Sequence, residues 1–75
     1  MSEKILDLKG LPCPMPVVKI SQEISSVEID ETIKAITTDP GSLNDFPAWA
    51  ESSGNEIVST DQQGEEIHIL VKRKV

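Results

Sequence analysis

Lys4, Leu6 and Leu8 alternate with Ile5 and Asp7, the period-two pattern of a short strand with one covered face. Gly10 and Pro12 end it. The period then changes: Val17, Ile20, Ile24 and Val27 recur at spacings of three and four and mark a single apolar stripe on a helix, with Ser21, Gln22 and Glu23 off it. The β-branched run Thr32–Thr38 predicts a second strand. Thr38-Asp39-Pro40-Gly41-Ser42 is turn chemistry, with Ser42 expected to cap a second helix whose inner face is Leu43, Phe46, Trp49 or Ala50, and Ser53. Pro47 falls late for a first turn and predicts an irregular helix start. Gly54-Asn55 is a stop signal. Glu56–Thr60 and Glu66–Lys72 then read as a hairpin joined through residues 61–65. The order βαβαββ, with one apolar stripe per helix, predicts an α+β fold. It is a two-layer α/β sandwich, a four-stranded mixed sheet carrying both helices on one face. Residues 1–75 are expected to form a single domain, without internal repeat or linker.

Charge narrows the function classes. Thirteen acids against seven bases give a net charge of −6. Residues 21–71 hold eleven acids and only Lys34, whereas Lys72-Arg73-Lys74 reads as a basic, solvated tail. An acidic surface repels a phosphate backbone, and a chain with no tyrosine, one phenylalanine and one tryptophan offers no stacking platform. Direct nucleic-acid binding is therefore not expected. No apolar run reaches the length of a membrane span, and the N-terminus lacks a signal-peptide pattern. A lone cysteine forms no internal disulfide, which fits a reducing, cytoplasmic setting. One cysteine and one histidine, His68, do not make a zinc set, so neither metal nor cofactor is expected. His68 is expected on a sheet face without a catalytic role, Phe46 and Trp49 in or beside the core, and the chain as a monomer.

Candidate chemistry concentrates in Leu11-Pro12-Cys13-Pro14-Met15-Pro16. Three prolines in five residues fit the start of a helix, where amide hydrogens are not needed for intrahelical bonds. With Cys13 as N-cap, Pro14 becomes the first helical residue and Pro16 the third. The positive end of the helix dipole then favours the thiolate, with the Met15 amide as the expected direct donor and Lys9 as an auxiliary cation. Pro12 and Pro14 stiffen the chain on either side of the sulfur and keep it open to a second protein's sulfur, as thiol–persulfide exchange requires.

Taken together, these residues resemble the TusA/SirA-like family of small sulfur carriers. The likeness runs from Leu6-Asp7-Leu8-Lys9-Gly10-Leu11 through the Cys-Pro-x-Pro signature at Cys13–Pro16. It continues over Thr38-Asp39-Pro40-Gly41-Ser42, Asp45-Phe46-Pro47 and Gly54-Asn55-Glu56 to the hairpin. The resemblance implies that Cys13 accepts persulfide sulfur from a donor such as a cysteine desulfurase or rhodanese and relays it to an acceptor protein. It further implies that Pro14 and Pro16 shape the helix start, beside Pro12 and Met15, which the residues themselves mark as site-shaping, and that Asp45 and Pro47 frame the site. Members of the family serve tRNA thiolation, cofactor biosynthesis or sulfur oxidation, as sulfurtransferase-type carriers. The competing reading is a non-catalytic regulatory or interaction module in which Cys13 is structural or redox-sensing.

Overall fold

The computed structural model describes residues 4–12 and 14–75. Its elements are β1 (Lys4–Leu8), α1 (Met15–Glu23) with a 3-10 turn at Ile24–Ser26, β2 (Thr32–Thr37), α2 (Ser42–Ser53), β3 (Glu56–Gln63) and β4 (Glu66–Lys72). The strands form one sheet in the order β1-β2-β4-β3. β1 and β2 are parallel, while β4 lies antiparallel to both β2 and β3. The parallel pair follows from α1, since parallel neighbours need a long crossover; the hairpin can only be antiparallel.

Alternation along the central strands separates the two faces of the sheet. Ile33, Ala35 and Thr37 on β2 and Ile67, Ile69 and Val71 on β4 are buried, and between them Lys34, Ile36, His68 and Leu70 are only half-buried. Leu8, Ile20, Val27 and Phe46 complete the core from β1, α1, the segment after the 3-10 turn, and α2. Trp49 packs at the core's edge, its ring centroid 6.4 Å from that of Phe46 in a T-shaped contact.

The predicted element order, strand faces and mixed sheet are all present. Several details differ from expectation. The regular part of the first helix stops at Glu23, and Ile24–Ser26 tightens into the 3-10 turn. Ser42 is the first residue of α2 rather than its cap; Gly41 holds the cap position, and no side chain caps the helix. The Ser42 hydroxyl is instead buried against Thr37 Oγ1 at 3.3 Å. Burying Ser42 turns Leu43 outward, so Leu43 is 39% exposed and the inner face is Ser42, Phe46 and Ala50. Pro47 lies inside α2. The bond it cannot donate falls near the N-terminal end, where the amides of Leu43 and Asn44 already make i→i−3 bonds to Pro40 and Gly41.

The hairpin is longer than its composition indicates. Asp61, Gln62 and Gln63 pair with His68, Ile67 and Glu66, leaving Gly64-Glu65 as the connection. An exposed edge strand needs no apolar alternation, so its polar end reads as loop. A register shift between Ile57 and Ser59 leaves Val58 as the extra residue. The basic segment is not a free tail. Lys72 ends β4, and Arg73 exchanges backbone bonds with Asp30 and Glu31 while its guanidinium donates to the Val27 carbonyl at 2.6 Å.

Candidate functional site

Register defines one edge of the sheet. Leu8 pairs with Thr37, Thr37 with Ile67, and Ile67 with Gln62, so these four residues form a row across all four strands. Because β1 and β2 are parallel, the chain leaves both of them at this edge and enters α1 and α2 from it. The ends of parallel strands joined to helix starts are where α/β sheets place their ligand sites. Pro12 and Pro14 lie in the first connection, Met15 and Pro16 open α1, and Asp45 and Pro47 fall in the first half of α2. The two sets were named separately in the sequence, 29 residues or more apart, and the fold brings both to one end. Cys13 lies outside the described residues.

The first connection begins with a sharp turn. Gly10 adopts φ +81°, a left-handed conformation that costs other residues about 1–2 kcal/mol, and the Leu11 amide donates to the Leu8 carbonyl at 3.3 Å. The Gly10 amide donates to Thr38 Oγ1 at 2.9 Å, tying this connection to the one after β2. The second connection is an Asx turn. Asp39 Oδ1 accepts from the Gly41 amide at 3.2 Å, and the Asp39 amide donates to Thr37 Oγ1 at 3.1 Å. The other carboxylate oxygen, Asp39 Oδ2, is buried without a hydrogen-bond partner.

The helix start lies one residue later than expected. Pro14 occupies the cap position with φ −99° and ψ 17°, and Met15 is the first helical residue. The Met15 amide donates to the Pro12 carbonyl at 2.8 Å, which corrects its expected role as donor to the sulfur. Pro14 and Pro16 have no amide hydrogen, and the Val18 amide is bonded to Pro14. Of the first-turn amides this leaves Val17, together with the field of the aligned peptides, to face an anion at this end. Pro16 is buried, whereas Pro12, Pro14 and Met15 are exposed, so one proline anchors the segment and two stiffen its outer surface.

Lys9 does not fold over the proline segment. Its ammonium lies 3.9 Å from Glu66 Oε2, and Glu66 Oε1 meets His68 Nε2 at 3.1 Å. All three reach the sheet face away from the helices, which agrees with the expected place of His68. Nothing in the sequence indicated this chain or the Gly10–Thr38 tie, because both link residues far apart along it. Among the described residues no group of three or more metal-ligating side chains occurs, and no helix is long and apolar enough to cross a membrane.

Fold and site together define a small α+β sandwich presenting a proline-braced segment, with one cysteine, at the open ends of two parallel strands. A family model described as "Sulfurtransferase TusA" matches residues 4–73, and the chain belongs to this family of sulfur carrier proteins. It is 35% identical over 68 residues to the sulfur carrier protein TusA of Allochromatium vinosum, covering 91% of this chain and 90% of that relative. Two Bacillus subtilis proteins, YrkI and YrkF, both provisionally named sulfur carriers, are similar as well. YrkI is 32% identical over 96% of each chain. YrkF is 38% identical over 92% of this chain but only 37% of its own length.

Proposed function

We propose that Cys13 carries sulfur as a persulfide between two protein partners in a reducing, cytoplasmic compartment. The observation that carries this reading is the position of the chain's sole cysteine. It falls between two exposed prolines in the connection leaving β1, in a chain that belongs to a sulfur carrier family. The Cys13 thiolate attacks the outer sulfur of a donor persulfide on a cysteine desulfurase or rhodanese. The donor's S–S bond breaks, the donor leaves as a thiolate, and Cys13 holds the terminal sulfur. A thiolate of the acceptor protein then attacks that sulfur and releases Cys13. Each step exchanges one S–S bond for another, so no cofactor or external reductant enters.

The prolines contribute rigidity. A segment already fixed before docking loses little conformational entropy when a partner closes over it. Pro12, Pro14, Met15 and Pro16 shape this presentation, and Asp45 and Pro47 frame it from α2. The direct test is incubation with a desulfurase, cysteine and pyridoxal phosphate, followed by intact mass. A gain of one sulfur, about 32 Da, is expected on the wild type and none on Cys13→Ser. Equal gains, or full complementation by Cys13→Ala in cells, would instead establish the non-catalytic module.

A further inference from the structure

The end of the fold where both helices start exposes apolar side chains on the helices and carries more acids than bases. Met15 and Val18, one turn apart on α1, are each 36% exposed, and Leu43 on the first turn of α2 is 39% exposed. Pro12, Pro14 and Pro47 are exposed beside them in sequence. The two helices pack against each other and both start from this edge, so each brings exposed apolar side chains to the same end of the fold. Beyond the row Leu8–Thr37–Ile67–Gln62, the charged residues of the connections and of the first turn of α2 are Asp39, Asp45, Glu65 and Glu66, against the single base Lys9. Lys9 is itself drawn to Glu66. Four of the chain's bases, Lys4, Lys72, Arg73 and Lys74, lie instead at or beyond the opposite end of the strands.

We propose that this end is a docking surface for a sulfur-exchanging partner whose reactive cysteine is set in an apolar patch ringed by lysine and arginine. The inference rests on the carrier reading of Cys13 and adds the chemistry of the partner's face. The excess of acids opposes self-association through this end and steers a basic partner onto it. The apolar side chains then hold the encounter while sulfur passes.

The test is the rate of sulfur loading from the desulfurase or rhodanese that gives the mass gain, followed between 50 and 500 mM NaCl. Opposite charges predict a fall of about tenfold across this range. The double variant Glu65→Lys/Glu66→Lys, both positions at the surface, should load about tenfold more slowly at low salt and converge with the wild type at high salt. Leu43→Ser should slow loading at every salt concentration. Inorganic polysulfide, which needs no docking, should load Leu43→Ser at the wild-type rate and the lysine variant no more slowly than wild type. Salt-independent transfer, or faster transfer by the lysine variant, overturns the docking inference while polysulfide loading keeps the carrier reading intact. If polysulfide fails to load the wild type, or loads Cys13→Ser equally, the carrier reading falls and this inference with it.

Discussion

The hydroxyl pair Thr37–Ser42 joins the end of β2 to the start of α2, and its energetics can be worked from three numbers. Thr37 is fully buried and Ser42 is 1% exposed, their oxygens lie 3.3 Å apart, and Thr37 Oγ1 also accepts from the Asp39 amide at 3.1 Å. Thr37→Val keeps the shape but removes the partner of a buried hydroxyl, which costs about 1–3 kcal/mol. The Asp39 amide is only partly buried and can turn to water, so a loss of about 2 kcal/mol is expected for the single variant. Ser42→Ala removes one bond and leaves Thr37 Oγ1 still occupied by Asp39, for about 1 kcal/mol. Removing both hydroxyls leaves no buried polar orphan. Thr37→Val/Ser42→Ala should therefore lie about 1 kcal/mol above the sum of the singles. Urea unfolding reads this directly: with a slope near 1 kcal/mol/M for so small a domain, Thr37→Val moves the midpoint down by about 2 M. Strict additivity, or a Thr37→Val midpoint equal to wild type, would refute the idea that this pair fastens the second connection.

Phe46→Ala empties the centre of the core and should cost about 3–5 kcal/mol, enough to abolish a cooperative transition at 25 °C in a domain whose whole stability is about that size. Near-UV and far-UV circular dichroism would show it. Gly54→Ala should cost more than Gly10→Ala. Both glycines have φ above +80°, but an added Cβ meets Val75 Cγ2 at 3.3 Å only at Gly54. Thermal melts should place Gly10→Ala about 4–8 °C below wild type and Gly54→Ala lower still. The Lys4 hydrogen bond, then its charge, holds the Glu23 carboxyl below its ordinary range. A depressed carboxyl stabilises the fold above its unfolded-state value and loses that contribution as pH falls through the lowered one. Lys4→Gln should thus narrow the stability gap between pH 6 and pH 3, and an unchanged gap would assign the pair no role.

How much was legible in the sequence depended on whether a residue's environment is set by its near neighbours. Period-two alternation placed Leu6, Leu8, Ile67 and Ile69 correctly because a strand's two faces differ along its length. The stripe Val17, Ile20, Ile24, Val27 gave the right face, although the helix tightens before Val27. By sequence Ser42 falls at the cap and Leu43 on the inner face, the reverse of the structure, because capping chemistry and core packing both suit a serine after glycine. The buried partner Thr37, which decides between them, is supplied by another element. Arg73 read as tail for a similar reason: the Val27 carbonyl that it meets lies 46 positions away. At the site, the segment Leu11–Pro16 announced itself, but the loss of the Met15 amide to Pro12 is a property of the turn and not of residue types.

That loss shifts where the chemistry of the site must come from. With Met15 engaged and Pro14 and Pro16 lacking hydrogens, Val17 is the first-turn amide left to an anion at this helix start. The charges nearest along the edge are mostly acids. A basic partner docked at this end brings positive charge to it, which favours an anion there. On the docking proposal, the Cys13 sulfur is therefore expected to react faster inside the complex than outside it. Cys13 alkylation by iodoacetamide, followed against pH with and without the partner in its Cys→Ser form, should show the midpoint moving down on complex formation. Contact shielding alone would lower the plateau rate without moving the midpoint. A midpoint that stays fixed or rises would place the activation of the sulfur within this chain after all.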